Sequence, residues 1–151
     1  ATGKTSIIRR YVHNVFSLNC QETMGADFAL KEIRWNNALK ISIQFWDIAG
    51  QQRFRNMTRI YYKEAVAVFI VFDVTDSKSF DDIITWKNDV DAKVLLPGNK
   101  PILAVLLANK SDLGGIGRIS LDKTKMDKFT AEYGFLGWFE TSALNGQGIS
   151  E

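Results

Sequence analysis

A lysine that can reach phosphate, an aspartate that can hold a divalent cation and an aspartate that can read a nucleobase stand in order along this chain. They lie in Gly3-Lys4-Thr5, Asp47-Ile48-Ala49-Gly50-Gln51 and Asn109-Lys110-Ser111-Asp112. At a helix N-terminus the free backbone N–H groups and the positive end of the dipole favour an anion, and glycine lets the backbone approach it closely. Lys4 would reach the β- and γ-phosphates of a nucleotide, and the Thr5 hydroxyl would ligate Mg²⁺. Asp47 would hold the same ion through water, the Gly50 N–H would bind the γ-phosphate, and Gln51 would orient the attacking water. Phosphoryl transfer needs positioning and charge stabilisation rather than covalent chemistry, so one amide at that place is sufficient. Asp112 would accept hydrogen bonds from N1 and N2 of guanine, a pattern adenine does not offer, and leaving that carboxylate unpaired would select for GTP over ATP. Asn109 would pair with the base and tie loops together, and the Lys110 stem would cover the ring.

Taken singly, each string has a bland reading: a chance tripeptide, a turn former at a strand end, a loop of polar residues. A GK[ST] and an NKxD coincide in one chain of this size on the order of once in a thousand sequences at average residue usage. Their order spells a GTP switch.

The elements that must position these residues follow from periodicity. Ile7, Ile8, Tyr11 and Val12 have helical spacing, which puts Gly3-Lys4-Thr5 at a helix N-terminus. Leu39, Ile41, Ile43 and Phe45 alternate with Lys40, Ser42, Gln44 and Trp46, a strand that ends at Asp47. Residues 65–74 and 102–108 are continuous apolar runs, as expected of parallel strands buried on both faces, and Asn109 follows the second directly. Helical patterns over residues 80–94 and 121–133 lie between them, and a short strand around 138–140 leads into Thr141-Ser142-Ala143. Strands alternating with helices predict a parallel α/β sheet, with all three motifs just past strand ends on one edge.

Composition narrows the classes. The 151 residues suit one domain, and 46% hydrophobic content supports a core. A net charge of +2 with interspersed signs gives no argument for nucleic acid as a partner or for an anionic membrane surface. A single cysteine, Cys20, excludes an internal disulfide framework and suits a reducing compartment; a single histidine, His13, excludes a multi-histidine metal site within this chain. His13 reads as an exposed residue on the first helix. No apolar run approaches the roughly 20 residues of a membrane span. Gly114-Gly115-Ile116-Gly117 reads as a loop rather than a domain boundary.

These motifs resemble the Ras superfamily of small GTPases, and the stretches around them resemble its Rab branch over nearly the whole chain. Thr23-Met24-Gly25-Ala26-Asp27-Phe28 is similar to the Rab switch I sequence, with Thr23 matching the threonine that senses Mg²⁺ and γ-phosphate. Phe28, Trp46 and Tyr61 match three aromatics that Rab proteins present to effectors, and Phe16 matches the aromatic beside the guanine. Residues 27–31, 46–51, 56–59, 106–110 and 137–142, with Ile48 after the DxxG aspartate, are most similar to the Rab branch that serves lysosome-related organelles and melanosomes. The resemblance implies a P-loop NTPase fold of Ras-like type, with a mostly parallel central sheet and helices on both faces. It implies GTP and GDP as ligands with Mg²⁺, and slow hydrolysis accelerated by a GTPase-activating protein. An exchange factor is expected for reloading, and effectors are expected to bind the loops around Thr23 and Gly50. The site is completed by Ser142 and the Ala143 N–H at the base. Cytoplasmic residence is implied, peripheral on endosomal, trans-Golgi or lysosome-related membranes, through a prenylated tail that is not in this chain.

Departures from the family pattern carry expectations too. The SAK motif reads Ser142-Ala143-Leu144, which lacks the lysine that braces the base site and predicts weaker nucleotide affinity. Gln52 replaces a usual glutamate, Cys20 stands where relatives often have an aromatic, and Arg53 and Arg55 read as a solvated switch face. Residues 1–151 read as one G domain missing the first strand and start of the phosphate loop, and the last helix and tail. Two rival readings are a degenerate Rab-like module that binds partners without turning over nucleotide, and a P-loop metabolic kinase, which would need a substrate lid and no guanine reader.

Overall fold

The computed structural model describes residues 1–19, 21–50, 61–62, 64–115 and 118–150; Gln51, Gln52, Arg53, Arg55 and Cys20 lie outside the described residues. The helical spacing after Gly3 forms α1 (Lys4–His13), closed by Asn14 in the left-handed region at φ 55° with its N–H donating to the Arg10 carbonyl. A long antiparallel hairpin follows, β1 (Ala26–Arg34) and β2 (Lys40–Ile48), which pairs Phe28 with Trp46 and Asp27 with Asp47. Alternation predicts β2 but is blurred in β1. There Lys31 takes an inward position, its ammonium donating to the Val12 carbonyl at 3.2 Å and lying 5.6 Å from the Tyr11 ring centroid.

The apolar runs become β3 (Ala67–Asp73) and β6 (Leu103–Asn109), separated by α2 (Ser77–Lys93) and a small hairpin of β4 (Leu95–Leu96) and β5 (Lys100–Pro101). The last elements are α3 (Lys123–Glu132) and β7 (Gly137–Thr141). Strands β3, β6 and β7 form a parallel sheet in that order, and Asp73, Asn109 and Thr141 are register partners. Three carboxyl ends are thereby brought abreast, as the sequence predicts. Strands β1 and β2 make a separate two-stranded antiparallel sheet, within the mostly parallel architecture expected; the short turn between them permits only an antiparallel return.

Burial is one-sided in the parallel sheet. Ile70, Phe72, Ala104, Leu106 and Ala108 face Ile83 of α2 and Met126 of α3, with Phe80, Trp86 and Phe129 packed around them. On the opposite face Phe69, Leu103 and Phe139 are each about half exposed, which corrects the expectation of strands buried on both faces. Helices α2 and α3 pack on the side of Phe72 and Leu106, while on the other face Leu107 is buried but its neighbours are less covered among the described residues. Side-chain caps fix where α2 and α3 begin: the Asp76 carboxylate accepts from the Lys78 N–H, and the Asp122 carboxylate from the Lys125 N–H.

An ion pair locks the ends of β3 and β6. Lys110 enters the next loop at φ 64° and its ammonium lies 2.5 Å from the Asp73 carboxylate, which also accepts from the Thr75 N–H and hydroxyl at 2.9 and 2.7 Å. Burial alone would push the Asp73 carboxyl up, but the Lys110 ammonium and the two Thr75 donors together hold it below its ordinary value.

Two outcomes follow from this packing. Phe72→Ala, at a side chain with no exposure, lowers unfolding free energy by about 3–5 kcal/mol in urea titration, whereas Phe69→Ala on the half-exposed face costs markedly less. Because the Asp73 carboxyl is depressed in the folded chain, its stabilising share is fully present above the ordinary value of 3.8 and is lost as pH falls through the folded value. Acid unfolding should therefore show a stability gap between the wild type and Asp73→Asn at neutral pH that closes below that point.

Candidate functional site

The N-terminus of α1 is left open by the sequence. Unlike α2 and α3, α1 has no side-chain cap: its N-cap is Gly3, at φ 90°, where a side chain has little room to form. A Cβ at Gly3 would also collide with the Asn109 amide nitrogen. The first-turn N–H groups of a helix have no partners within it, so an uncapped end with no acidic residue in its own first turn presents them to an external anion. Lys4 adds an ammonium to that place. Burial pushes it below its ordinary value, against the opposing pull of the Asp47 carboxylate, and among the described residues it makes no ion pair. Its Nζ lies against Gly50, where a Cβ would come within 2.8 Å of it.

Three oxygens converge beside it. The Thr5 hydroxyl donates to Asp47 Oδ2 at 2.5 Å, the Thr23 hydroxyl reaches the same oxygen at 3.2 Å, and the two hydroxyls are 2.8 Å apart. Asp47 is 5% exposed, and its other oxygen, Oδ1, is buried with no hydrogen-bond partner among the described residues. An orphaned buried carboxylate oxygen next to two hydroxyls is a hard oxygen donor set that suits Mg²⁺, an ion that takes few protein ligands and keeps water and phosphate in the rest of its shell. Thr5, Thr23 and Asp47 are the residues that sequence reasoning assigned to the metal, and the fold brings all three together from α1, the loop before β1 and the end of β2. A cavity of about 280 Å³ borders Thr5 and Asp47 but runs along Ile8, Val15, Phe28 and Ala29, away from Lys4 and Asn109.

The loop after β6 is braced from three directions. Asn109 is 1% exposed; its amide donates to the Thr2 carbonyl at 2.8 Å and its oxygen accepts from the Thr141 hydroxyl at 3.2 Å, which joins the phosphate loop, β6 and β7. The Ser142 hydroxyl donates to Asp112 Oδ1 at 2.5 Å and accepts from the Asn145 N–H, and the Ser142 N–H donates to the Gln147 carbonyl. One Asp112 oxygen is thereby fixed in direction. Lys110 spends its ammonium on Asp73, which orients its stem along this same loop. Ser142 and Ala143 are buried, and Phe16 is half-buried just beyond α1.

Arg10 and Gln147 are additions that the motif strings do not contain. The Arg10 guanidinium donates to the carbonyls of Ala143 and Leu144 at 2.8 and 2.7 Å and to the Asn14 side chain at 3.1 Å, so α1 holds the loop after β7 directly. A basic residue late in α1 was the available signal, since the last turn of a helix favours a cation and its long side chain can reach neighbouring carbonyls. Leu144, in place of a lysine, therefore still has its backbone braced, and its side chain is about half exposed.

Phe28, Trp46 and Tyr61 form a continuous aromatic row. The Phe28 and Trp46 centroids are 5.2 Å apart and those of Trp46 and Tyr61 5.6 Å. Phe28 and Trp46 are each 47% exposed, so these rings are a surface feature rather than core packing. Gln51 lies outside the described residues.

The comparisons with known proteins agree with this geometry. The Ras family matches residues 1–151. The chain is 53% identical over 149 residues to Ras-related protein Rab-32 of Mus musculus, covering 99% of this chain and 66% of that protein. It is 52% identical over 151 residues to Ras-related protein Rab-32A of Dictyostelium discoideum, covering 68% of it, and 44% identical over 151 residues to Ras-related protein Rab-7L1 of Rattus norvegicus, covering 72%. The chain thus spans about two thirds of the length of these relatives. With the family matched over every residue and relatives well above 30% identity, the chain belongs to the Ras family of small GTPases, among its Rab proteins.

Proposed function

We propose that this chain is the switch domain of a Rab GTPase that binds GTP and GDP with Mg²⁺ and hydrolyses GTP slowly. The observation that carries this reading is the convergence of the Thr5 and Thr23 hydroxyls on Asp47, whose second carboxylate oxygen is buried and unpaired among the described residues, beside an uncapped helix end and a half-buried ammonium. The N–H groups of α1 and the Lys4 ammonium bind phosphate, Thr5, Thr23 and Asp47 hold Mg²⁺, and Asp112 with Asn109 and the Ala143 N–H holds guanine. When bound, the ion neutralises charge on the phosphates. Gln51 orients the attacking water. Thr23 belongs to the loop that precedes β1 and meets α1 and β2 through its hydroxyl, with a backbone bond from the Ala49 N–H to the Gly25 carbonyl beside it, so loss of the γ-phosphate loosens this loop and alters the adjoining Phe28, Trp46 and Tyr61 surface.

That aromatic row is the effector-binding surface in this reading, with an exchange factor and a GTPase-activating protein as the other partners. The likeness to Rab-32 and Rab-7L1 supports a role in vesicle trafficking, with the longer protein acting on the cytosolic face of endosomal or lysosome-related membranes through its prenylated tail. No helix among the described residues is long and apolar enough to cross a membrane.

Binding of mant-GDP in the presence of Mg²⁺ tests the ligand. Unlabelled GTP should displace it and ATP should be weaker by on the order of 10⁴, as expected of a buried group built to pair with one base; Asp112→Ala should erase most of that discrimination. Equal competition by ATP, or no binding by a folded chain, would overturn the reading. Single-turnover hydrolysis tests the catalytic assignment. Gln51→Leu should retain mant-GTP binding yet lose the acceleration given by a GTPase-activating protein, which in Ras is about 10⁵-fold. Unchanged stimulated turnover would remove Gln51 from that role.

A further inference from the structure

The turn between β1 and β2 presents two apolar side chains that nothing in the described chain covers. Trp35 is 70% exposed and Leu39 49%. The turn that holds them outward is well closed: the Trp35 and Asn36 N–H groups both donate to the Leu39 carbonyl, and Asn36 Oδ1 accepts from the N–H groups of Ala38 and Leu39 at 2.9 Å each. A single exposed apolar residue needs no explanation. A tryptophan and a leucine fixed together on the end of a hairpin form a directed contact.

Charge at the base of the turn has an unusual arrangement. Arg34 and Lys40 are direct register partners, both exposed, and among the described residues neither side chain has a hydrogen bond or an ion pair. Like charges directly opposite each other destabilise a strand pair, and an external anion between them relieves the repulsion. The carboxylate on this face, Glu32, sits two residues down β1, opposite Ser42.

We propose that the β1–β2 turn is a membrane-contact element that docks on an anionic phospholipid surface. The Trp35 ring, with its apolar body and N–H edge, suits the headgroup layer, Leu39 enters beside it, and Arg34 and Lys40 meet lipid phosphates. A protein partner fits less well. The apolar tip is two side chains wide, whereas a stable protein interface engages roughly 20–30 residues on each side. Position favours the lipid reading as well. The nine residues of β1 put the turn roughly 30 Å from the Asp47 end of the hairpin, so docking leaves the nucleotide site and the aromatic row open. This contact is independent of nucleotide and of any lipid anchor.

Co-sedimentation of the full chain, free of lipid modification, with vesicles of phosphatidylcholine alone and of phosphatidylcholine mixed with phosphatidylserine tests the proposal. Binding is expected only to the mixed vesicles, weakening with salt. Arg34→Ser with Lys40→Ser should lower the partition coefficient by roughly 25-fold, about fivefold for each charge. Brominated lipid should quench tryptophan fluorescence of the wild type, and Trp35→Ser should abolish that quenching. Leu136→Ser, at a leucine 68% exposed elsewhere on the surface, serves as the control and should bind as the wild type does. Circular dichroism establishes that each variant is folded. Failure of the wild type to bind, equal binding to both vesicles, or persistence of binding and quenching in the folded variants would overturn the proposal.

Discussion

A buried carboxylate, Asp47, and a half-buried ammonium, Lys4, act on each other in this chain without forming an ion pair among the described residues. Asp47 keeps one oxygen unpaired inside the protein, and Lys4 is desolvated with no ion pair among the described residues. Each is unfavourable alone, since a polar group removed from water loses free energy unless it regains a partner. Together they describe the complement of a divalent cation and a polyphosphate, one charge of each sign without an ion pair between them. The uncapped α1 end, the left-handed Gly3 and the bare Gly50 beside Lys4 are then intelligible as features that keep room for both.

The fold brings these groups together by strand ends rather than by local sequence. Asp73, Asn109 and Thr141 are neighbours across the parallel sheet, so the loop proposed to read guanine starts from the same edge at which β3 and β7 finish. The bonds from Asn109 to Thr2 and Thr141 and from Arg10 to Ala143 and Leu144 join that edge to the phosphate loop and α1. A nucleotide that touches phosphate at one end and guanine at the other bridges the same pieces. Binding should therefore add to the stability of the whole edge, by linkage between the ligand and the folded state.

Much of this was legible because the chemistry is concentrated in short strings of small and charged residues with few alternative uses. Lys4, Thr5, Asp47, Asn109 and Asp112 were singled out by type and order as the proposed site, and periodicity placed α1, β2, β3, β6 and both later helices. What escaped was long-range. Strand β1 hides behind an inward Lys31 whose ammonium is satisfied by α1, a contact that no pattern along the strand reveals. The one-sided burial of β3 and β6 was equally invisible: an apolar run reads the same whether one or both faces are covered, as the half-exposed Phe69 and Leu103 show. Arg10 and the Lys110–Asp73 pair were missed because an arginine or lysine on a surface element has many possible partners until the fold selects one.

The hairpin separates two kinds of surface. Its nucleotide end carries Asp47 and the Phe28–Trp46 pair, and its far end carries Trp35 and Leu39. The central claim concerns the first end: Asp47 is built to hold Mg²⁺ and the other groups are arranged around it. Calorimetric titration of GDP into the wild type and Asp47→Asn, each with Mg²⁺ and with EDTA, tests this most directly. Asparagine keeps the size and an acceptor for Thr5 but removes the charge, so the variant should bind GDP as weakly with Mg²⁺ as without it, while the wild type gains strongly from the ion. An equal Mg²⁺ gain in both proteins would contradict the account.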